Sequence, residues 1–486
     1  MLCLCLTLGC CANTVELLND GSQVQYVMDG NSNRISVAEK VPQLILNIQN
    51  SSMMNMYNSS NGGSVYFSST YWEHPMIKIN TSVFRNSSVN LANGMGGSVY
   101  LVKVNETNID NSEFTSCSAY TGGAIYVNNS KYLFVKGSRF SNCSSKFYGG
   151  ALYGGYIDTV VMISYCVFES CSSYYNGGVI FLDIYLGRTW IEDSSFYNCS
   201  TDNYGCMYLY SRTNNSEIDI NRVCSYKTRA NYSAFVRGLF SDNSLCTFNL
   251  LYSSIVSTSV FMGEGDGNVR IGGGRCNLKY INWSNNNFKN AGFDINPTRD
   301  SYVEYNTIYN NSSPSYAILT LYSPDTAIDS LMKLCNVISN YLEKKENAAL
   351  VLLYGYSNTK GTKVENCIFY GNNGILFYTS TGKHFVYGCH IVHNALYQIY
   401  NSSSIGYFTT SAVIVDIHAT NTYAISHLSS YYCSTYDIQG QDLSPCQTLY
   451  PVPSTCIFSG DNSIIVLAKV FEILQLSILS SIILLL

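Results

Sequence analysis

Residues 122–150 read GGAIYVNNSKYLFVKGSRFSNCSSKFYGG, and this stretch decides the fold. It begins and ends with a Gly-Gly pair, and between the pairs short apolar runs alternate with Gly, Asn and Ser. Runs of β-branched and aromatic residues separated by turn residues predict two or three short strands and no helix. A unit of this size cannot bury its own apolar face, so we expect it to stack on copies of itself.

Two motifs of this stretch recur along the chain, the Gly-Gly pair and a Phe-x-x-Cys motif. Small-residue pairs begin, at intervals of 26 to 34 residues, at Gly62, Gly96, Gly122, Gly149, Gly177 and Gly205. A Phe-x-x-Cys motif lies between them in four copies, with its members at Phe114, Cys117, Phe140, Cys143, Phe168, Cys171, Phe196 and Cys199. The glycines predict a tight corner that requires positive φ or close backbone approach, above all at Gly122, Gly123, Gly149, Gly150, Gly177 and Gly178. The phenylalanines should stack inside the solenoid, about 4.8 Å apart.

A period of about 28 residues predicts an all-β chain, because β-propeller repeats need about 40–50 residues each. We expect a single-stranded, right-handed parallel β-helix of the pectin-lyase-like type, with roughly 12 coils and a C-terminal hydrophobic tail. Residues 13–61 should cap the solenoid, regular repeats occupy 62–210, and degenerate coils with a hydrophobe-x-x-Asn pattern occupy 211–424. Residues 425–462 are predicted to form a stalk containing Cys and Pro.

The two ends of the chain suggest export and attachment to a membrane. Residues 1–12 are apolar and end at a small residue, as in a signal peptide, although they lack a positive n-region, as a truncated one would; a buried first strand is the alternative. Residues 463–486 include an apolar stretch long enough to span a bilayer. A transmembrane helix, a cleaved lipid-anchor signal and an amphipathic capping helix remain open for this tail.

The amino-acid composition argues against several classes of protein. Charged residues make up 12% of the chain and the net charge is −5, which gives no electrostatic basis for binding nucleic acid. An apolar share of 46% argues against general disorder. Nineteen cysteines in a chain this poor in charge fit an oxidising, extracellular compartment better than a reducing one.

The pairing of Gly-Gly-Ala-Ile/Leu/Val with Phe-x-x-Asn/Cys, over roughly residues 84–206, resembles the repeats of the polymorphic outer-membrane proteins of chlamydiae and of related β-helix surface proteins in parasitic protists. The closest matches are 122–127 and 140–143, and this chain departs from the pattern by placing Cys where the family has Asn. Members of that family are adhesins. The resemblance therefore implies a surface protein, here more similar to the anchored protist type.

The in-phase cysteines leave two arrangements open. Their Cα atoms should lie about 4.8 Å apart, which is within disulfide range, so Cys117–Cys143 and Cys171–Cys199 bridges are possible by distance. In-register neighbours point their Cβ atoms the same way, however, and the dihedral of a disulfide would then be strained. We expect a stacked column of free thiols, with strained bridges as the alternative.

Catalytic chemistry finds little support. Glycoside hydrolysis requires two carboxylates about 5–9.5 Å apart, and none of the candidates recurs in phase with an Arg or His. The candidates are Asp158, Asp183, Asp193, Asp219, Glu264 and Asp266. The paired-Asp and Gly-His-Gly motifs of pectin-degrading hydrolases do not occur. We assign no catalytic residue, and a polysaccharide lyase or glycoside hydrolase of this fold remains the alternative function.

Two motifs that suggest a ligand are also given structural interpretations. His390 and His393 lie three apart, so on a strand they point to opposite faces and chelate poorly. Residues 263–274 (GEGDGNVRIGGG) lack the Gly-Lys-Ser/Thr of a phosphate loop and are interpreted as a loop between coils. We therefore assign no metal and no cofactor.

Asn-x-Ser/Thr motifs occur only slightly more often than chance predicts, so they do not by themselves establish glycosylation. The candidate sites are Asn58, Asn80, Asn86, Asn105, Asn128, Asn142, Asn198, Asn231, Asn310 and Asn401. Taken together, the sequence predicts a glycosylated surface protein, an adhesin that binds a glycan or protein on host or neighbouring cells. It is expected to bind no nucleic acid and to be held at the membrane by its tail. A purely structural coat or spacer role is the third possibility, which the sequence does not separate from adhesion.

Overall fold

The chain winds as a stack of coils, and a computed structural model describes most of its repeat region. The described residues are 15–19, 24–31, 34–392, 406–408 and 413–416, with gaps at 40–43, 70–74, 91, 186, 214, 241–244, 261–266, 290, 315, 324–327, 344–347, 356–360, 380–382 and 388. Regular structure in these ranges is β-strand throughout, and they contain no helix able to cross a membrane. The predicted signal peptide, stalk and membrane tail lie outside them.

Each coil contributes strands to three faces and a narrow strip. The first face holds Ile35–Glu39, Val65–Ser69, Ile180–Ile184, Met207–Ser211, Val236–Phe240, Gly267–Gly272, Ala291–Asn296, Ala317–Ser323, Ala349–Gly355, Phe377–Thr379 and Gly406–Phe408. The second face holds Val24–Asn31, Leu44–Met54, Met76–Asn80, Arg188–Glu192, Glu217–Asn221, Thr247–Leu251, Arg275–Lys279, Ser301–Glu304, Ser330–Lys333, Gly361–Glu365, Lys383–Tyr387 and Val413–Asp416. Long strands cross from the first face to the second at Val99–Asp110, Ile125–Lys136 and Leu152–Ser164.

The third face and the narrow strip are made of shorter strands. The third face holds Val83–Arg85, Glu113–Thr115, Arg139–Ser141, Val167–Glu169, Ser195–Tyr197, Cys224–Tyr226, Ser254–Val256, Asn282–Ser284, Thr307–Tyr309, Asn336–Ile338, Ile368–Tyr370 and His390–Val392. The narrow strip holds Tyr57–Asn58, Ser88–Val89, Ser118–Ala119, Ser144–Ser145, Ser172–Ser173, Ser200–Thr201, Arg229–Ala230, Ser259–Val260, Asn287–Phe288, Ser312–Ser313 and Tyr341–Leu342. These strands make a parallel β-solenoid of about 11 turns, against roughly 12 predicted from the period.

Strand pairing is parallel and keeps the repeat in register. Phe140 pairs with Phe114 on one side and with Phe168 on the other. Parallel pairing already begins upstream of Gly62, because Val24–Asn31 lies beside Leu44–Met54. The first described strand, Val15–Asn19, is antiparallel to Val24–Asn31.

The core is a set of stacked columns. The rings of Phe84, Phe114, Phe140, Phe168 and Phe196 lie 4.8 to 4.9 Å apart between centroids and within 12° of parallel. All five side chains are buried. The interior phenylalanine stack predicted from the Phe-x-x-Cys spacing is therefore present, at the spacing of parallel strands.

The corners explain the glycine pairs. The first glycine of each pair has positive φ, as at Gly122 with 65°. The second allows close approach, since a Cβ on Gly123 would lie 2.0 Å from the carbonyl oxygen of Gly150. Both physical reasons for glycine therefore apply, one to each member of the pair.

A second corner follows the third face and carries one continuous buried column. The residue before this column has positive φ, for example 54° at Asn142 and 50° at Asn310. The side chains in the column change along the solenoid from Ser to Cys, then to Thr and finally to Asn. The members of the column are Ser87, Cys117, Cys143, Cys171, Cys199, Thr228, Thr258, Asn286, Asn311, Asn340 and Asn372. The Asn of hydrophobe-x-x-Asn is thus the buried residue of the column, and the left-handed conformation belongs to the residue before it.

Candidate functional site

A row of aromatic side chains runs along the outside of the first face. Tyr66, Tyr100, Tyr126, Tyr153, Phe181 and Tyr208 occupy one register position in successive coils. Their ring centroids are 4.8 to 5.2 Å apart and their planes lie within 9° of parallel. The spacing of parallel strands thus fixes these rings in a continuous stack.

A second aromatic stack lies at the corner just before the glycine pair. Phe147 stacks on Tyr120 at 5.3 Å and on Tyr175 at 5.0 Å. Tyr148 connects this corner to the outer row, because its ring centroid lies 4.1 Å from that of Phe147 and 4.5 Å from that of Phe181. We call the combined surface the aromatic tract, and its members are Tyr66, Tyr100, Tyr120, Tyr126, Phe147, Tyr148, Tyr153, Tyr175, Phe181 and Tyr208.

The orientation of these rings determines what the tract can do. In the outer row each ring covers the face of the next, so only part of the row is open to solvent. Tyr126 and Phe181 are buried, with 6% and 9% of their surface exposed. The half-buried members are Tyr66, Tyr100, Tyr153 and Tyr208, which present their ring edges and hydroxyl groups. Burial raises the pKa of Tyr153 to about 12, which keeps its hydroxyl protonated and able to donate and accept hydrogen bonds. At the corner, Tyr175 is 40% exposed. The tract therefore combines apolar area with neutral hydroxyl groups.

Cations lie at both ends of the outer row. The Arg34 guanidinium carbon lies 5.7 Å from the Tyr66 ring centroid. That of Arg237 lies 3.7 Å from the Tyr204 centroid and 5.9 Å from the Tyr208 centroid. Both are cation–π distances. The ion pair of Asp183 with Arg212, at 2.6 Å, also lies near the row and acts on Tyr153.

Elsewhere on the surface, charges are paired between neighbouring coils. Examples are Arg139 with Glu169 at 2.7 Å, Arg85 with Glu113 at 3.1 Å, and Lys279 with Glu304 at 2.7 Å. The Arg85–Glu113 pair is the most exposed of the three and adds little stability. The effect of all three pairs on the surface is to neutralise charge locally.

The register position of the outer row continues past Tyr208 with charged residues. Arg237, Arg270 and Asp294 follow in successive coils. Burial raises the pKa of Asp294 to about 6, although Arg270, with its Nε 3.6 Å from the carboxylate, opposes the shift. No sequence motif indicates this carboxyl, because its arginine neighbours can be identified only once the strand register is known.

The carboxylates considered as catalytic candidates from the sequence either lie far apart or already bind other side chains. The expectation that none has an arginine partner in phase is wrong for two of them, because pairing across coils depends on the strand register. Asp183 accepts from Nε and Nη2 of Arg212, both at 2.6 Å, and Asp193 is bound in the same way by Arg222. Asp219 accepts from Asn249, while Asp158 is half-buried on a different coil. Glu264 and Asp266 lie outside the described residues.

The structure places part of each of the two remaining motifs, the histidine pair and the glycine-rich segment 263–274. His390 begins a third-face strand, and His393 lies outside the described residues. The described ranges contain no cluster of three or more His, Cys, Asp or Glu able to hold a metal. The loop interpretation of 263–274 is wrong for Gly267–Gly272, which is a first-face strand, because its Val-Arg-Ile alternation suits a half-buried sheet.

The in-phase cysteines are free thiols in this structure, and all four are buried. The Cys143 thiol donates to the carbonyl of Phe114 at 3.4 Å, and the Cys171 thiol donates to that of Phe140 at 3.5 Å. Burial raises the pKa of Cys117, Cys171 and Cys199. Thiols held in this way are poor nucleophiles, which points to packing rather than chemistry.

The candidate glycosylation sites differ in accessibility. Asn80, Asn86, Asn142 and Asn310 are exposed. Those that are half-buried are Asn58, Asn105, Asn128, Asn198 and Asn231. Asn401 lies outside the described residues. Asn86, Asn142 and Asn310 share the positive-φ corner position, so any glycans on them would project from one edge of the solenoid.

Comparisons with protein-family models, curated proteins and solved structures find no match to this chain. The resemblance to polymorphic outer-membrane-protein repeats therefore rests on the sequence motifs alone. What the structure supports is the coarser statement, that the chain is a repetitive parallel β-solenoid.

Proposed function

We propose that this chain is a non-catalytic, adhesin-like binding protein displayed outside the cell, and that it binds host or neighbouring cells through the aromatic tract. The observation that carries the proposal is the continuity of the tract across six coils and one corner. The tract lies on the outer side of the first face and is separate from the phenylalanine stack in the core.

Tyrosine-rich surfaces suit recognition for physical reasons. Tyrosine is enriched in protein interfaces and offers a large amphipathic area while losing little conformational entropy. Here the rings are fixed by stacking before any partner arrives, which reduces the cost of ordering them on binding. Neutral hydroxyl edges add hydrogen bonds without the desolvation cost of charges.

The location outside the cell is supported by the sequence. The predicted signal peptide and apolar tail would place the solenoid on the outer surface, held by a membrane anchor. An extended solenoid then holds its lateral faces clear of the membrane, as repeat proteins that bind along their sides do.

Binding of the full-length chain to cells tests this proposal. The labelled protein, produced in a secretory host, is titrated onto a panel of animal and microbial cells. The variant Tyr153→Ser/Tyr175→Ser removes two tract rings, and we expect at least a tenfold loss of binding. The control Tyr165→Asn/Tyr185→Ser removes two exposed tyrosines elsewhere and should bind like the wild type. Equal binding by the tract variant, or no binding to any cell, contradicts the proposal.

Polysaccharide cleavage is a second candidate with one observation in its favour. Asp294 is a buried carboxyl whose pKa, raised to about 6, suits proton transfer near neutral pH. Its charged neighbours are Arg270 and Arg237, whereas glycoside hydrolysis needs a second carboxylate. Turnover of any polymer in a panel of neutral and uronic-acid polysaccharides, abolished by Asp294→Asn, would establish this candidate. We expect none.

A further inference from the structure

An open groove of mixed polar and apolar lining lies on the narrow strip near the start of the solenoid, beside the aromatic tract. Its volume is about 640 Å³, within the range of ordinary ligand sites. Three consecutive coils contribute Ser88, Ser118 and Ser144 to its floor, and Asn90 and Lys146 lie along it. Tyr57 and Tyr120 supply its aromatic part.

The serines form a regular row of hydroxyl groups. Ser118 pairs in parallel register with Ser88 and with Ser144, so equivalent atoms repeat at the strand spacing of about 4.8 Å. All three side chains are partly exposed. A row of this kind offers both donors and acceptors at equal intervals along the solenoid axis.

The backbone of the strip is already used, which limits the kinds of ligand. The amide of Ser118 donates to the carbonyl of Ser87, and that of Ser144 donates to the carbonyl of Cys117, both at 2.9 Å. A peptide that binds as an added β-strand needs an open strand edge, and these strands are paired with both neighbours. A ligand in this groove would therefore be contacted by side chains and not by backbone groups.

The aromatic groups add a second requirement. Tyr57 is 71% exposed, so its ring is accessible at one end of the groove. Tyr120 is held against Phe147 at 5.3 Å and forms a fixed wall. Lys146 is the one charged residue among the described residues that line the groove, and no carboxylate is among them. The combination of hydroxyl, amide and aromatic groups suits a ligand with many hydroxyls and apolar C–H faces.

We propose that this groove binds an oligosaccharide whose chain follows the serine row along the solenoid axis. This inference rests on the proposed function and names the ligand class of one part of the binding surface. Sugar hydroxyls would exchange hydrogen bonds with the serines and Asn90, while a sugar ring packs against Tyr57. Nucleic acid fits poorly, because a single lysine cannot neutralise a row of phosphates.

A printed array of neutral and acidic oligosaccharides, probed with the full-length chain, tests the inference. We expect retention of at least one oligosaccharide, and at least tenfold weaker binding of it by Ser118→Gln, whose longer side chain fills the groove. Ser172→Gln is the matched control, since it lies in the same serine row outside the groove and should bind within twofold of the wild type. Tyr57→Ser and Tyr174→Ser form a second matched pair, with loss expected only for Tyr57→Ser.

The outcomes separate this inference from the proposed function. If no oligosaccharide is retained, or Ser118→Gln binds as the wild type does, the groove inference fails. Cell binding that persists in Ser118→Gln but is lost in Tyr153→Ser/Tyr175→Ser would then leave the proposed function standing. Loss of retention in Ser118→Gln, with wild-type retention in Ser172→Gln, supports the groove inference.

Discussion

Asn311 donates a hydrogen bond from its Nδ2 to Oδ1 of Asn340, 3.0 Å away, and both side chains are buried. The same corner position holds Cys143 and Cys171 in coils nearer the N-terminus. Amides there form a hydrogen-bonded ladder, whereas each thiol donates to a carbonyl of the coil before it. The same backbone geometry thus accommodates either an Asn amide or a Cys thiol at this corner. Both side chains fill a small buried space beside a residue with positive φ.

Replacing Asn311 by Ala should destabilise the solenoid strongly. Its Oδ1 accepts from the Asn286 amide at 3.0 Å, and its Nδ2 donates to the Trp283 carbonyl at 2.9 Å. Each buried polar group left without a partner costs about 1–3 kcal/mol, so we expect a loss of at least ~3 kcal/mol in unfolding free energy. Urea denaturation measures it, with the exposed Asn287→Ala as control. Equal stability of the two variants would contradict the ladder.

Phe168→Ala should remove a central ring from the interior stack. Phe168 lies 4.9 Å from both Phe140 and Phe196, so truncation leaves a cavity between two rings. We expect a loss of about 3–5 kcal/mol in unfolding free energy. The control is Tyr174→Ala, an exposed position on the same coil. An unchanged midpoint for Phe168→Ala would show that this ring lies outside the core.

The thiol column should be unreactive while the protein is folded. Cys117, Cys143, Cys171 and Cys199 are buried, so the reagent cannot reach their sulfur atoms in the folded protein. Burial also raises the pKa of Cys117, Cys171 and Cys199, which disfavours the thiolate needed for alkylation. Maleimide added to the native protein should leave all four unlabelled, and addition after unfolding in urea should label all four. Peptide mapping by mass spectrometry without reductant checks this, and a peptide linking Cys117 to Cys143 would overturn it.

The parallel solenoid could be predicted from the sequence because the residues that pack in its interior recur at a regular spacing. The spacing of Phe-x-x-Cys predicted the phenylalanine stack, and the glycine pairs predicted the tight corner. The outer surface was less accessible to such reasoning, since the register that brings Arg270 beside Asp294 depends on loop lengths that vary between coils. The link from Phe147 through Tyr148 to Phe181 likewise depends on side-chain direction at a corner, which spacing alone does not specify.

Asp294 should make stability depend on pH in a defined direction. Its pKa of about 6 in the folded protein lies above the value of about 3.9 expected when unfolded. The protonated form therefore favours folding, and this contribution is complete below about pH 4 and lost as the pH rises through 6. The two-unit difference corresponds to about 2–3 kcal/mol.

The variant Asp294→Asn removes this titration. We expect the change in unfolding free energy between pH 4 and pH 7 to differ from that of the wild type by about 2–3 kcal/mol, with the variant relatively more stable at pH 7. Urea denaturation at both pH values measures it, and the exposed Asp202→Asn should follow the wild type. Parallel pH profiles for Asp294→Asn and the wild type would refute the assignment.

Oxidative footprinting of the full-length chain, free and bound to cells that retain it, tests most directly whether the aromatic tract is the binding surface. Modification of Tyr100, Tyr153 and Tyr175 should fall on binding, while that of Tyr165 and Tyr252, which lie at a different corner, should not change. Protection confined to residues outside the tract, or equal modification in the free and bound states, would contradict the account.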